Sequence, residues 1–254
     1  MTVRNDVIRS TSKRLPIVLC LDVSPSMTME KRMENLNAAL KVFYKELQSD
    51  NKAVNAAEIA IVTFSTDIIE NGKKFEPLSA VVNRTFKPVE HGGSQISKAI
   101  LYSIQIIEDR LALFDSSDID HYLPFLVVVT DGDPDGTDNS VTRQNAIQSV
   151  LRHCETSGPE DQLIAPYIIG VGNDISQHCA TLNQMASKFT GSAILVNGNV
   201  NEQNAAFKEL FAFIGNSVKN SLAGANNLKG LYEGLRRQAT DKNIEITERR
   251  RGIM

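Results

Sequence analysis

A chain of 254 residues, 42% hydrophobic and 22% charged, has the make-up of a soluble globular protein, with length for one large α/β domain or two small ones. Its formal net charge of −3 supplies no bulk attraction for nucleic acid, and no apolar run approaches the roughly 18 residues of a membrane-spanning helix. Cys20, Cys154 and Cys179 are scattered without CxxC spacing, and the four histidines form no zinc-spaced cluster, which argues against a disulfide framework or zinc centre and favours a reducing, cytoplasmic setting.

Residues 1–14 are polar, carry Arg4, Arg9, Lys13 and Arg14, and lack the apolar core of a signal peptide. Residues 15–21 are a short continuous apolar run, read as a buried strand with Cys20 as a small core residue. Apolar positions at Met33, Leu36, Leu40, Phe43 and Leu47 predict a helix over 31–47. A strand follows at 58–64, then an edge hairpin or short strand within 67–75. His91-Gly92-Gly93-Ser94 is a turn leading into a helix over 95–113. The most apolar strand, 122–129, is expected at the centre, followed by the acidic loop 130–139 and a helix over 141–155. A strand at 163–169, a helix at 176–188, a short strand at 193–196 and a helix at 201–222 complete the pattern.

This alternation predicts an α/β fold, a Rossmann-like three-layer sandwich whose mostly parallel central sheet carries helices on both faces, with ligand loops at the carboxyl ends of the strands. The chain divides into a polar leader at 1–14, one domain at 15–222 and a helical or flexible tail at 223–254. In the tail, Leu228, Leu231, Tyr232 and Leu235 form a short apolar stripe and residues 248–251 a charged end.

Three segments carry chemistry. Asp22, Ser24 and Ser26 place oxygen side chains at alternate positions just past the first strand, so a modest curl of the chain lets them surround one point. Thr130-Asp131-Gly132 delivers a second carboxylate from another strand end, and Ser94 after the double glycine offers another hydroxyl. Hard oxygen donors of this kind suit Mg²⁺, Mn²⁺ or Ca²⁺ over zinc. Residues 131–136 match the first half of an EF-hand loop, but position 12 is Thr142 in place of the bidentate Glu, and a strand precedes the loop. Asp133 and Asp135 are read as an acidic rim around the main site, with a second ion site or solvated turn residues as the alternatives. Gly170-Val171-Gly172 lacks the third glycine of a dinucleotide fingerprint, and neither a G-x-S-x-G elbow nor a phosphate-binding P-loop is present.

Together, Asp22-x-Ser24-x-Ser26, Ser94 after Gly92-Gly93, and Thr130-Asp131-Gly132 resemble the metal-ion-dependent adhesion site of von Willebrand factor A (VWA) domains, over residues 15–222. Ile169-Gly170-Val171-Gly172 and the Phe-rich last helix agree with it, and Arg14-Leu15-Pro16 makes the chain most similar to bacterial tellurium-resistance proteins of the TerY type. The resemblance implies that Asp22, Ser24, Ser26, Ser94 and Asp131 hold one divalent cation, Mg²⁺ first, with Mn²⁺ or Ca²⁺ as alternatives. Ser94 stands where relatives usually carry Thr, which keeps the hydroxyl and loses the methyl that restricts χ1. The resemblance further implies a cytoplasmic module that grips an Asp or Glu of a protein partner through the metal, a kinase or phosphatase being the partner suggested by the bacterial relatives, within a stress-response or phosphorylation-signalling system.

The expectation is thus binding without turnover, with no nucleic acid or membrane partner. One alternative is a Mg²⁺-dependent phosphohydrolase, because Asp22 ends the first strand where haloacid-dehalogenase-type enzymes carry a nucleophile; Ser24 stands where those enzymes place an acid. The other is a scaffold whose site never fills.

Overall fold

The computed structural model describes residues 13–69, 75–132, 140–154, 164–177, 180–185, 193–224 and 244–246. The strands are β1 (Leu15–Asp22), β2 (Ala57–Phe64), β3 (Glu76–Pro77), β4 (Phe125–Thr130), β5 (Ala165–Val171), β6 (Ile194–Val196) and β7 (Ile244–Ile246). The helices are α1 (Arg32–Gln48), α2 (Asn51–Ala56), α3 (Leu78–Val81), α4 (Ile96–Ser116), α5 (Ser140–Cys154), α6 (Ala180–Met185) and α7 (Val200–Leu222). One sheet runs β3-β2-β1-β4-β5-β6-β7; its interior pairs are parallel, and only the edge strands β3 and β7 are antiparallel to their neighbours. This is the α/β sandwich expected from the alternating pattern.

Every residue of β1, β2, β4 and β5 is buried, as strands covered on both faces must be. Because side chains alternate along a strand, β1 feeds two cores. Leu15, Ile17, Leu19 and Leu21 join the core built with α1 and α7, whereas Val18 and Cys20 join the core with α4 and α5. Cys20 is buried among apolar neighbours, and burial pushes its thiol up to about 12, so it stays protonated and serves as a small core side chain. The capping box of Asn199 and Glu202 starts α7, which packs along α1 with the ring of Phe211 edge-on to Phe43.

Several boundaries differ from the sequence reading. The central strand starts at Phe125 rather than at 122, because Pro124 has no N–H for the ladder; ahead of it only an isolated bridge joins Arg14 to His121. Of the expected helix at 176–188, the described residues form a 3₁₀ turn, Ile175–Gln177, and α6 at Ala180–Met185, while 178–179 and 186–188 lie outside the described residues. Within 67–75, Ile68 bridges back to Phe64, and the edge strand comes just after, at Glu76–Pro77. In the segment read as a tail, Ile244–Ile246 pairs with β6 as the last strand of the sheet; an isolated three-residue strand is too short to show a period of two. The leader residues 1–12, the rim residues Asp133 and Asp135, Cys179 and the apolar stripe of the tail lie outside the described residues. Among the described residues, no helix is long and apolar enough to cross a membrane.

The amino ends of the strands are tied by a buried ion cluster. Arg110 of α4 donates through Nε and Nη2 to Glu58 Oε2 at 2.8 and 2.6 Å, and Arg14 approaches the other oxygen at 3.5 Å. The Arg110 guanidinium also lies over the rings of Phe75 and Phe114. Removing one partner of a buried pair leaves the other charge uncompensated. Arg110→Ala is therefore expected to lower unfolding free energy by about 3–5 kcal/mol in urea titration, a larger loss than any exposed lysine truncation gives.

Candidate functional site

At the carboxyl edge, β1 lies between β2 and β4, and the helices that follow β1 and β4 pack on opposite faces of the sheet. Open α/β sheets bind their ligands at such a reversal, which here falls at the end of β1. Asp22 is the last residue of β1 and is fully buried. Its Oδ1 accepts the backbone N–H of Ser24 at 2.8 Å. Its Oδ2 accepts the hydroxyls of Thr130 at 2.8 Å and Ser94 at 2.9 Å. Beyond Asp22, Ser24 is extended and Pro25 opens a 3₁₀ turn, Pro25–Lys31, which curls the chain so that the Ser24 and Ser26 hydroxyls meet at 2.9 Å. Asp22, Ser24 and Ser26 are thus linked in series, the Ser24 backbone N–H to Asp22 and the Ser24 hydroxyl to Ser26.

Ser94 is carried in by a turn that the end of β2 holds. Ser65 donates its hydroxyl to the Gly93 carbonyl at 2.8 Å, and Thr66 Oγ1 accepts from Gly93 N at 2.8 Å. Gly92 has a φ of 143°, and a Cβ there would sit 2.5 Å from Ser65 Oγ, so both the backbone angle and the space demand glycine. Asp131 follows β4 directly. Its Oδ2 accepts from Arg32 Nη1 at 3.0 Å, in an ion pair whose two side chains are only 6% and 7% exposed.

The site's electrostatics centre on Asp22. Burial, and then the negative charge of Asp131, push its carboxyl up to about 6; the hydrogen bonds from Ser24 and Thr130 work the other way. A buried anion beside a second anion calls for a cation. Among the described residues no three His, Cys, Asp or Glu side chains gather to hold a metal, so any ion here must draw on hydroxyls. The geometry suits that: Ser94 and Thr130 direct their protons at Asp22, which turns the hydroxyl lone pairs away from it. Two carboxylates with Ser24, Ser26 and Ser94 make an all-oxygen donor set of the kind that fits a hard divalent cation.

All five sequence-proposed residues, Asp22, Ser24, Ser26, Ser94 and Asp131, stand at this edge of the sheet. Residues that organise them were not singled out. Thr130 was read only as part of the Thr-Asp-Gly motif, yet it is fully buried and orients Asp22. Arg32 falls in the first helix, where nothing in the helical period separates a buried arginine from a solvated one. Ser65 and Thr66 carry no motif of their own.

The family model for the von Willebrand factor type A domain matches residues 17–209. No curated protein matches the sequence. Among solved structures, the chain is similar to the PilB minor pilin from Streptococcus sanguinis (TM-score 0.53, 14% identity, 83% of this chain and 62% of that one). It is similar also to proximal thread matrix protein 1 from the mussel byssus (TM-score 0.52, 14% identity, 81% and 47%). The pilus adhesin SpaC from Lactobacillus rhamnosus GG gives a TM-score of 0.52 at 13% identity, over 81% and 30%. The chain therefore spans less than two thirds of the length of each, and what it shares with them at such identity is the fold.

The raised Asp22 carboxyl sets a sign for pH. A folded-state value of about 6 lies above the unfolded value of about 4, so this group's favourable contribution is full below about 4 and is lost as pH rises through about 6. In EDTA, wild-type stability from this group is expected to fall by about 2–3 kcal/mol between pH 4 and 7. Asp22→Asn keeps the shape and removes the charge, so urea titrations at several pH values should show that slope flattened and the variant at least as stable as wild type at pH 7.

Proposed function

The chain belongs to the von Willebrand factor type A domain family, and from that premise we propose that it is a protein-interaction module that binds one divalent cation, Mg²⁺ first, at Asp22, Ser24, Ser26, Ser94 and Asp131. Domains of this family are in general interaction or adhesion modules. The observation that carries the metal reading is the buried Asp22 carboxylate, which gathers Ser24, Ser94 and Thr130 around itself with Asp131 close enough to raise its pKa.

When bound, the cation supplies an electrophilic position for one anionic oxygen of a partner. The chain's own residues do the rest. Asp22 anchors the site and fixes the hydroxyl rotors. Ser26 and Ser94 are half-buried at the carboxyl edge of the sheet, the side from which an Asp or Glu of a partner protein would arrive. The similarity to TerY-type proteins adds a partner that is a kinase or phosphatase and a cytoplasmic, bacterial stress-response setting.

A phosphohydrolase reading is supported less well. Such an enzyme needs a second acid two residues past its nucleophile, and Ser24 occupies that place, its hydroxyl against that of Ser26 at 2.9 Å.

Calorimetry on EDTA-stripped protein tests the metal reading. Wild type should take up one Mg²⁺ or Mn²⁺, Asp131→Asn should bind it at least about tenfold more weakly, and Ser94→Thr should keep binding because the hydroxyl remains. A partner captured by immobilised wild type in Mg²⁺ should be released by EDTA and should fail to bind after its own anchoring Asp or Glu is replaced by Asn or Gln. Wild type that binds neither Mg²⁺, Mn²⁺ nor Ca²⁺ contradicts the reading.

A further inference from the structure

Arg32 is the first residue of α1, ten positions past Asp22, and its guanidinium lies buried behind Asp131. A buried guanidinium needs partners for its donors. One branch, Nη1, holds Asp131 Oδ2 at 3.0 Å. On the other side, Nε and Nη2 reach Glu30 Oε2 at 3.4 and 3.2 Å, and Nη2 also lies 3.9 Å from the exposed Asp174 Oδ1. That same carboxylate oxygen accepts the backbone N–H of Asn173 at 3.2 Å and Gln203 Nε2 at 3.0 Å. Glu30 therefore joins three separate parts of the chain: the turn after β1, the loop after β5 and the first turn of α7.

Three independent features show that the fold is shaped around this arginine. Gly172 has a φ of 146°, and a Cβ there would lie 2.9 Å from Arg32 Nη2, so the Gly-Val-Gly segment after β5 clears the space in which the guanidinium lies. Glu30 and Lys31 both adopt left-handed backbone, with φ of 52° and 55°, a conformation that costs energy in residues other than glycine and that turns Glu30 back over Arg32. Gln203 is fully buried and spends its amide N–H groups on Glu30 and the Gly198 carbonyl, while its own Oε1 has no hydrogen-bond partner. The opposite amide orientation would set that oxygen against a carboxylate and a carbonyl, so the bond to Glu30 decides which way the side chain faces.

We propose that Arg32 is the positioning residue of the site: its guanidinium, itself fixed by Glu30, Gln203 and Gly172, holds Asp131 by one oxygen and so sets the direction in which that carboxylate meets the cation. The inference rests on the metal reading above. Lysine in place of Arg32 keeps the charge, but its single ammonium lacks the planar fork that spans Glu30 and Asp131 together.

The test is Mg²⁺ and Mn²⁺ calorimetry on folded, EDTA-stripped full-length chain, with circular dichroism and urea midpoints taken in parallel. Arg32→Lys should weaken metal binding about tenfold, the usual effect of losing a group that orients a metal ligand. Glu30→Gln touches no proposed ligand and should weaken binding by a smaller factor in the same direction. The double variant should be no worse than Arg32→Lys alone, because both changes act through one contact. Should Arg32→Lys fail to fold, Glu30→Gln carries the test by itself. Wild-type affinity in the folded variants, or losses that multiply independently, would overturn the proposal while leaving the metal reading standing. A wild type that takes up no metal would overturn both.

Discussion

A carboxylate with no exposure to solvent, at the end of a fully buried strand, is the constraint around which this molecule is arranged. Such a charge is costly unless hydrogen bonds and a counter-charge compensate it. Asp22 obtains its hydrogen bonds from three places: its own chain two residues on, the turn before α4, and the end of β4. Those three places reach one point only if β1 lies between β2 and β4 and the turn from Gly92 to Ser94 is clamped by Ser65 and Thr66. Satisfying one buried anion thus fixes the relative positions of the segments that carry every proposed ligand.

The compensation is incomplete, and that incompleteness is informative. Asp131 adds a second negative charge and contributes to lifting the Asp22 carboxyl to about 6. Arg32 pairs with Asp131, but it is shared with two further carboxylates, Glu30 and the more exposed Asp174. A site with this balance favours a small cation over an anion, and its hydroxyls favour a hard one. Across the sheet, at the amino ends of the strands, the acid at Glu58 is matched by Arg110 and Arg14, so that end is a structural tie. The two ends of one sheet thus differ in charge balance, matched at Glu58 and in surplus of carboxylates around Asp22.

Most of the fold was legible because its strands are continuous apolar runs and its helices keep a clear period, as in 15–21 and in the Ile96, Ile100, Ile104, Ile107 series. The five oxygen donors were legible because they occupy strand ends and a double-glycine turn, where chain geometry forces them together. What escaped has no local signature. The edge strand Ile244–Ile246 exists through pairing with a strand some fifty positions earlier. Thr130 orients Asp22 across 108 positions and Arg32 meets Asp131 across 99, and no short-range pattern encodes such a contact. Gly172 is instructive in the same way: the sequence excluded a nucleotide fingerprint, but only the fold shows that this glycine clears room for a guanidinium.

The claim that most needs a direct test is that the oxygens gathered around Asp22 coordinate one metal ion. Diffraction from crystals grown or soaked in Mn²⁺, with data collected to reveal the anomalous signal of manganese, answers it without reference to any partner. A single strong peak is expected at the carboxyl edge of β1, with oxygens of Ser24, Ser26 and Ser94 among its ligands at about 2.0–2.4 Å and Asp22 and Asp131 bound directly or through water. A map without a peak there, or with manganese held only elsewhere, would contradict it and leave Asp22 as a buried charge that serves the fold alone.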